Sequence, residues 1–386
     1  MRFKVARHDL EAALQIVDAS MASSGSDISA HFVFRRTGPD KDDKYGIEVL
    51  TWVNRIFSSC PVLPVVVEDK GDKDTAFTVE GWRLKQWLQY IPPDSAPEFI
   101  LADGEVTVRV KRGKQTFQSL DPSIFPYWDT AHKEATVKAT VPADRLAAAF
   151  SYAKSFISDR ETLSPEICVC EAKGSILYAS DKKSAALILV PGMADSSLRV
   201  HGRDVAGFIT FLGNLGNGNV EVLEHDRMVL LRRCMDGALF GESRFHYAFP
   251  FPKVKMDDTD QHMWALPAAD LRQTIGFLVA GAVKDDNSLR LAPGENPGEV
   301  VVSMNNATGK VTALPLSGIT MTSAPKAPEI PEEGFLLDHF ILARVLSPWK
   351  AETIRFGLNV VGDKGFVRVV TEQYESKYLT IIPWLT

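Results

Sequence analysis

The stretch Val5-Ala6-Arg7-His8-Asp9-Leu10-Glu11-Ala12-Ala13-Leu14 recurs twice more along the chain in altered spelling. The second copy is Val141-Pro142-Ala143-Asp144-Arg145-Leu146-Ala147-Ala148-Ala149-Phe150, and the third is Leu266-Pro267-Ala268-Ala269-Asp270-Leu271-Arg272-Gln273-Thr274-Ile275. Each passes from an apolar residue through a short polar entry into an amphipathic helix. Aligned on Leu10, Leu146 and Leu271, the copies stand 136 and 125 residues apart. Solenoid repeats run to roughly 20–50 residues, whereas a whole domain takes roughly 100–150. The spacing predicts three tandem copies of one domain, at 1–130, 131–255 and 256–386.

Later blocks repeat in the same order. A second helix is expected near Leu84, Trp87 and Leu88, with counterparts at Val205, Phe208 and Ile209 and at Leu342, Val345 and Leu346. All three sets follow the i, i+3, i+4 spacing of one buried helical face. A strand, a turn and a strand then follow. In the first copy these are Phe99-Ile100-Leu101, Ala102-Asp103-Gly104-Glu105 and Val106-Thr107-Val108-Arg109-Val110. Asp-Gly between alternating apolar residues signals a two-residue hairpin, because glycine accepts the positive φ of a type I′ turn. Two helices among many alternating strands, three times over, give an α+β fold.

The 386 residues suffice for two or three cores. Hydrophobic content of 45% and charged content of 24% are ordinary for globular chains. No apolar run reaches the ~20 residues of a membrane span, and Met1–Val5 starts an alternating strand rather than a leader, so the expected setting is cytoplasmic with no membrane partner. Cys60, Cys168, Cys170 and Cys234 lack disulfide or zinc spacing and read as reduced thiols. Phe125-Pro126 and Phe249-Pro250 close the first two copies, since proline ends strand pairing.

No motif for covalent chemistry appears. Gly213–Gly218 follows a helix instead of joining a strand to one, so it reads as a turn and not a phosphate loop. The eight histidines show no metal spacing, and paired acids cluster beside lysines in loops. No catalytic residue, metal or cofactor is expected. The net charge of −6 argues against a generally basic nucleic-acid-binding surface.

With three copies built as helix, strands, helix, strands, the chain resembles the bacterial DNA polymerase III beta sliding clamp nearly end to end. The Phe-Pro closures, the Pro-flanked apolar C-terminus and Leu177-Tyr178-Ala179-Ser180-Asp181-Lys182-Lys183-Ser184-Ala185 carry the resemblance. That segment stands where the family has Ala-Thr-Asp-Gly-His-Arg-Leu; Lys182, Lys183 and Ser184 replace Gly-His-Arg, as in a divergent or phage-encoded member. The resemblance implies three clamp domains of two helices packed on antiparallel sheets. It also implies a head-to-tail homodimeric ring around duplex DNA that tethers the replicative polymerase and performs no reaction. Arg83, Lys85, Arg145, Lys154, Arg203, Arg272, Arg344 and Lys350, on or beside helices, are then expected to face DNA through weak phosphate contacts. Polymerase and clamp loader would dock short hydrophobic peptides against Ser180, Ala185, Pro250, Phe366, Ile381, Ile382, Pro383, Trp384 and Leu385. The alternative is a clamp-like protein that captures such peptides without encircling DNA; a hydrolase on a repeated scaffold has no motif in its favour.

Overall fold

The computed structural model describes all residues except 23–26, 40–44, 69–75, 112, 126–133, 159–161, 163, 194–195, 227, 245–246, 248, 252–261, 281–286, 297–298, 307–308, 313–315, 318, 324–333, 348–352, 362–363, 374–375 and 384–386. All six expected helices form: α1 (Arg7–Val17), α2 (Gly81–Gln89), α3 (Ala143–Lys154), α4 (Val205–Asn214), α5 (Ala268–Ala280) and α6 (His339–Leu346). The apolar stripes of α2, α4 and α6 bury Leu84 and Leu88, Val205 and Phe208, and Leu342, Val345 and Leu346, while Trp87 and Ile209 are half-buried. Asp103 and Gly104 have φ of 51° and 78°, as the type I′ reading requires.

The chain forms two compact units, Met1–Ala147 with Leu198–Phe245, and Ala148–Ser197 with His246–Thr386. The first holds a five-stranded antiparallel sheet in the order Pro64–Glu68, Arg2–Val5, Glu98–Ala102, Glu105–Val110, Gly113–Gln118. It also holds an eight-stranded sheet running Thr136–Pro142, Asn219–His225, Met228–Arg233, Leu239–Ser243, Ile56–Val62, Tyr45–Val53, His31–Pro39, Ala76–Glu80. At its middle Leu239 pairs with Ser59 and Glu242 with Ile56, so strands from the first and second sequence copies belong to one sheet. In the second unit one sheet includes Val169–Lys173, Ile176–Ser180, Ala185–Leu189, Ser376–Pro383, Lys364–Gln373, Thr353–Val361, His262–Pro267 and Ile319–Ser323 in that order. There the second and third copies join where Ala185 pairs with Ile381. The third copy's remaining strands order as Gly309–Thr312, Glu299–Asn306, Ser288–Pro293, Phe335–Asp338, with Leu316–Ser317 pairing on Glu299–Asn306. The middle copy thus contributes strands to both units.

Two helix ends are secured by side chains. The last-turn carbonyl of Val17 in α1 accepts from the Ser58 hydroxyl at 2.8 Å, and Ser20, Thr51 and Ser58 form a fully buried hydroxyl cluster around it. Asp338 caps α6 by accepting from Phe340 N at 2.9 Å and Ile341 N at 3.3 Å. Phe125 and Phe249, the aromatic halves of the two Phe-Pro closures, are both buried. Cys60, Cys168 and Cys170 are buried thiols, but Cys234 is exposed next to the Arg233–Asp236 ion pair, where the turn leaves no core to cover it.

Candidate functional site

The segment from Ser180 to Ala185 builds a compact turn in the second unit. Strands Ile176–Ser180 and Ala185–Leu189 pair antiparallel, with Ser180 opposite Ala185. Between them Asp181 Oδ1 accepts from Lys183 N at 3.0 Å, Ser184 N at 2.8 Å and Ser184 Oγ at 3.0 Å. Ser180 Oγ donates to the Ser184 carbonyl at 2.9 Å. This closed set of local bonds holds Lys182 at φ 72°, in the left-handed region. Arg344 of α6 donates to Asp181 Oδ2 at 2.7 Å and to Ser184 Oγ at 3.0 Å, with its guanidinium 5.0 Å above the Phe156 ring. The turn and α6 flank a pocket of about 760 Å³ with Ile157, Ile167, Phe340 and Ile341 among its walls.

The neighbouring sheet face is apolar. Ser180, Ala185 and Ile381 lie side by side across three strands, because Ser180 pairs with Ala185 and Ala185 with Ile381. Ala185 and Ile381 pack on buried Leu187, Val370 and Leu379, together with Tyr178. Phe251 meets Tyr178 edge-on at 4.9 Å between ring centroids, and Phe249 lies 5.5 Å from Phe251. Lys173 Nζ sits 5.1 Å over the Phe251 ring, and Pro250, between the two aromatics, is exposed. Burial raises the Tyr178 phenol above its ordinary value.

Ile382 does not share that face. Successive strand residues point to opposite sides, so Ile381 stays half-buried while Ile382 is fully buried. The expectation that both isoleucines wall one cleft is corrected by that alternation. The backbone of Phe366 lies opposite Pro383, but their side chains, with Trp384 and Leu385, are outside the described residues.

The expected DNA-facing cations divide between the units. In the first, Arg83 is exposed, 3.3 Å from Glu80 and 5.7 Å from the Phe117 ring centre, and Lys85 bonds Asp18 at 2.8 Å. Arg203 is exposed beside the start of α4, and Arg145 is half-buried on α3. In the second, Lys154 is exposed in the last turn of α3 and Arg272 is half-buried on α5. Lys350 is outside the described residues. Arg344 departs from the expected open helix face: it is held against Asp181 and Ser184, so replacing it removes packing and bonds. Sequence reasoning missed this tie and the Tyr178–Phe249–Phe251 cluster. The Ser-Asp-x-x-Ser spacing signalled the Asp-centred turn, but nothing local signals a partner 163 residues away.

Among the described residues no group of three or more His, Cys, Asp and Glu is placed to hold a metal. No helix among them is long and apolar enough to cross a membrane.

No family model and no curated protein sequence matches the chain. Solved structures do, over their full length. The DNA polymerase III subunit beta from Pseudomonas aeruginosa superposes with a TM-score of 0.77 at 14% identity, covering 99% of each chain. The DNA polymerase III beta subunit from Thermotoga maritima gives 0.75 at 15% identity, covering 100% of this chain and 99% of that one. The DNA polymerase sliding clamp from Bacillus subtilis gives 0.75 at 14%, with the same coverage. This chain has the sliding-clamp fold. The α+β plan of short helices on antiparallel sheets is therefore that of the clamps, at a sequence identity of only 14–15% to these three structures.

Proposed function

We propose that the chain is a DNA sliding clamp, a non-enzymatic processivity factor with clamp domains at 1–130, 131–255 and 256–386. Two copies associate head to tail, close around duplex DNA and tether the replicative polymerase in the cytoplasm. The full-length likeness to polymerase clamps, end to end on both chains, carries this reading. Two further observations support it. The strand Gly113–Gln118 ends its sheet with one edge unpaired by any described strand, as an intersubunit pairing requires. Ser180, Ala185 and Ile381 share an apolar sheet face, and the turn after Ser180 lines a mixed polar and apolar pocket with an exposed Phe340, a surface fitted to peptides of the polymerase and clamp loader.

A second reading, capture of such peptides without encircling DNA, gains weight from three cations spent on internal acids: Arg83 with Glu80, Lys85 with Asp18, Arg344 with Asp181. Sedimentation equilibrium separates the two. A closed ring needs two chains, so a concentration-dependent two-chain mass supports the clamp, and a strict monomer at tens of micromolar favours the second reading.

A further inference from the structure

We propose that Glu242, Asp204 and Arg55 form a proton-controlled latch across the seam between the first and second sequence copies. One proton shared by the two carboxyl groups holds the seam shut, and its loss to bulk water loosens the strand pairing there. The latch lies wholly within the first unit and goes beyond the clamp reading, since it does not depend on ring closure.

At the seam, Leu239–Ser243 of the second copy pairs with Ile56–Val62 of the first, and Glu242 stands opposite Ile56. The Ser243 amide donates to the Arg55 carbonyl at 3.0 Å, so Arg55 and Glu242 stand at the same end of this pairing. Packing leaves little slack. A Cβ on Gly241 would come within 2.6 Å of the Leu230 side chain, 2.7 Å of the Phe57 ring and 2.8 Å of the Val229 carbonyl oxygen. The Phe240 ring, one residue earlier, meets Phe208 and Phe211 of α4 at 4.7 and 5.2 Å between centroids. Glu242 itself is fully buried.

The charges gathered there do not balance. Asp204, the residue before α4, brings a second carboxyl within hydrogen-bonding reach of Glu242. From the hairpin between Tyr45–Val53 and Ile56–Val62, Arg55 supplies the cation and donates to Asp204 Oδ2 at 2.7 Å. From the strand Arg199–His201, the His201 amide donates to Glu242 Oε1 at 2.9 Å, while its imidazole Nδ1 accepts from Arg203 N at 3.2 Å. The neighbour on the remaining strand is Val229, which is apolar. Two carboxylates with one guanidinium leave one negative charge over, and a buried charge without a counter-ion is costly. Hydrogen bonding gives the same answer. Glu242 Oε2 meets no donor among the described residues. As a carboxylate it would be an orphaned buried acceptor; as an acid it donates to Asp204, which keeps Arg55 on Oδ2. Burial, and after it the Asp204 charge, hold the Glu242 carboxyl well above the usual range, in keeping with that shared proton. The neutral acid therefore ties the second copy's strand to the start of α4 and, through Asp204, to Arg55 of the first copy. Once it ionises, the two carboxylates repel at the point where the copies join.

Hydrogen exchange of the full chain, followed by mass spectrometry from about pH 5 to about pH 9, makes the test. Peptides covering Ile56–Val62 and Leu239–Ser243, corrected for the intrinsic rate at each pH, report the seam. A group neutral when closed and ionised when open shifts the opening equilibrium by about tenfold per pH unit. Seam protection should therefore fall about tenfold per unit as pH rises, and level off once Glu242 ionises in the closed state. Low concentrations of urea should leave those rates unchanged, because local opening exposes little surface. Glu242→Gln, neutral throughout and still able to donate to Asp204, should abolish the pH dependence. Asp204→Asn removes the neighbouring charge and should move the levelling to lower pH. Seam protection in the parent that ignores pH overturns the latch without recourse to any variant. Exchange that accelerates steeply with urea assigns the proton to global unfolding and overturns it as a local device. A pH dependence that persists in Glu242→Gln, or a levelling point unmoved in Asp204→Asn, overturns the shared proton.

Discussion

Lys182 adopts a glycine-like backbone conformation at φ 72°. Replacing it with glycine removes the Cβ clash of the left-handed region but adds unfolded-state freedom, two effects of about 1 kcal/mol each. Lys182→Gly is thus expected to leave the free energy of urea unfolding within about 0.5 kcal/mol of the parent, whereas Lys182→Val, β-branched in the same conformation, lowers it by more than about 1 kcal/mol. Glu242 offers a second test at this scale. It is fully buried in the first unit, accepts from His201 N at 2.9 Å, and lies beside Asp204, itself paired with Arg55 at 2.7 Å. Burial first, and the Asp204 charge next, push its carboxyl well above the ordinary 4.5. A raised folded value favours the neutral acid, so its contribution is complete below about pH 4.5 and is lost as pH rises through the folded value. Glu242→Gln is neutral at every pH and can donate to Asp204. Its stability should exceed the parent's at neutral and alkaline pH and converge with it near pH 4; parallel curves across that range would contradict the assignment.

At the scale of the element, the helices and the Asp-Gly hairpin were legible because they depend on spacing within a dozen residues. Leu84 and Leu88, or Leu342, Val345 and Leu346, announce their face without help from the rest of the chain. The polar group beneath α1 was not legible. Ser20, Thr51 and Ser58 are ordinary hydroxyl residues until the fold brings them onto the Val17 carbonyl. Ser58→Ala would leave that buried carbonyl with fewer donors and is expected to cost about 1–2 kcal/mol in thermal unfolding. The geometry of the proposed peptide site was hidden from the sequence for the same reason. Ser180, Ala185 and Ile381 fall on one face by strand pairing, while Ile382 is turned away by strand alternation. In the proposed peptide site, Trp384→Ala should weaken binding of a fluorescent peptide from the cognate polymerase by ~30-fold, the loss of an aromatic anchor worth about 2 kcal/mol, with the oligomer mass unchanged. Unaltered anisotropy curves would place the peptide elsewhere.

At the scale of the molecule, the three-copy pattern in the sequence and the two compact units in the structure are reconciled by strand pairing. The middle copy lends Leu239–Ser243 to a sheet with the first copy and Ala185–Leu189 to a sheet with the third. Such continuous sheets make each junction part of a core, which local sequence cannot reveal. The cations proposed to face DNA also separate at this scale. Arg203 is exposed, so Arg203→Glu should shift stability by under about 0.5 kcal/mol while weakening retention on DNA and flattening its salt dependence. Arg344→Glu should instead cost about 1–3 kcal/mol by breaking the charged bonds to Asp181 and Ser184.

The proposed clamp would hold DNA by surrounding it. A linear duplex biotinylated at both ends lets a ring thread over the termini, and streptavidin added afterwards closes the exits. On a native gel after a challenge with 0.5 M salt, protein should remain on the capped duplex and leave when a restriction enzyme cuts its centre. Uncapped duplex should lose the protein under the same salt. Equal loss from capped and uncapped DNA would contradict encirclement, because binding that ends when phosphate contacts are screened is not a closed ring.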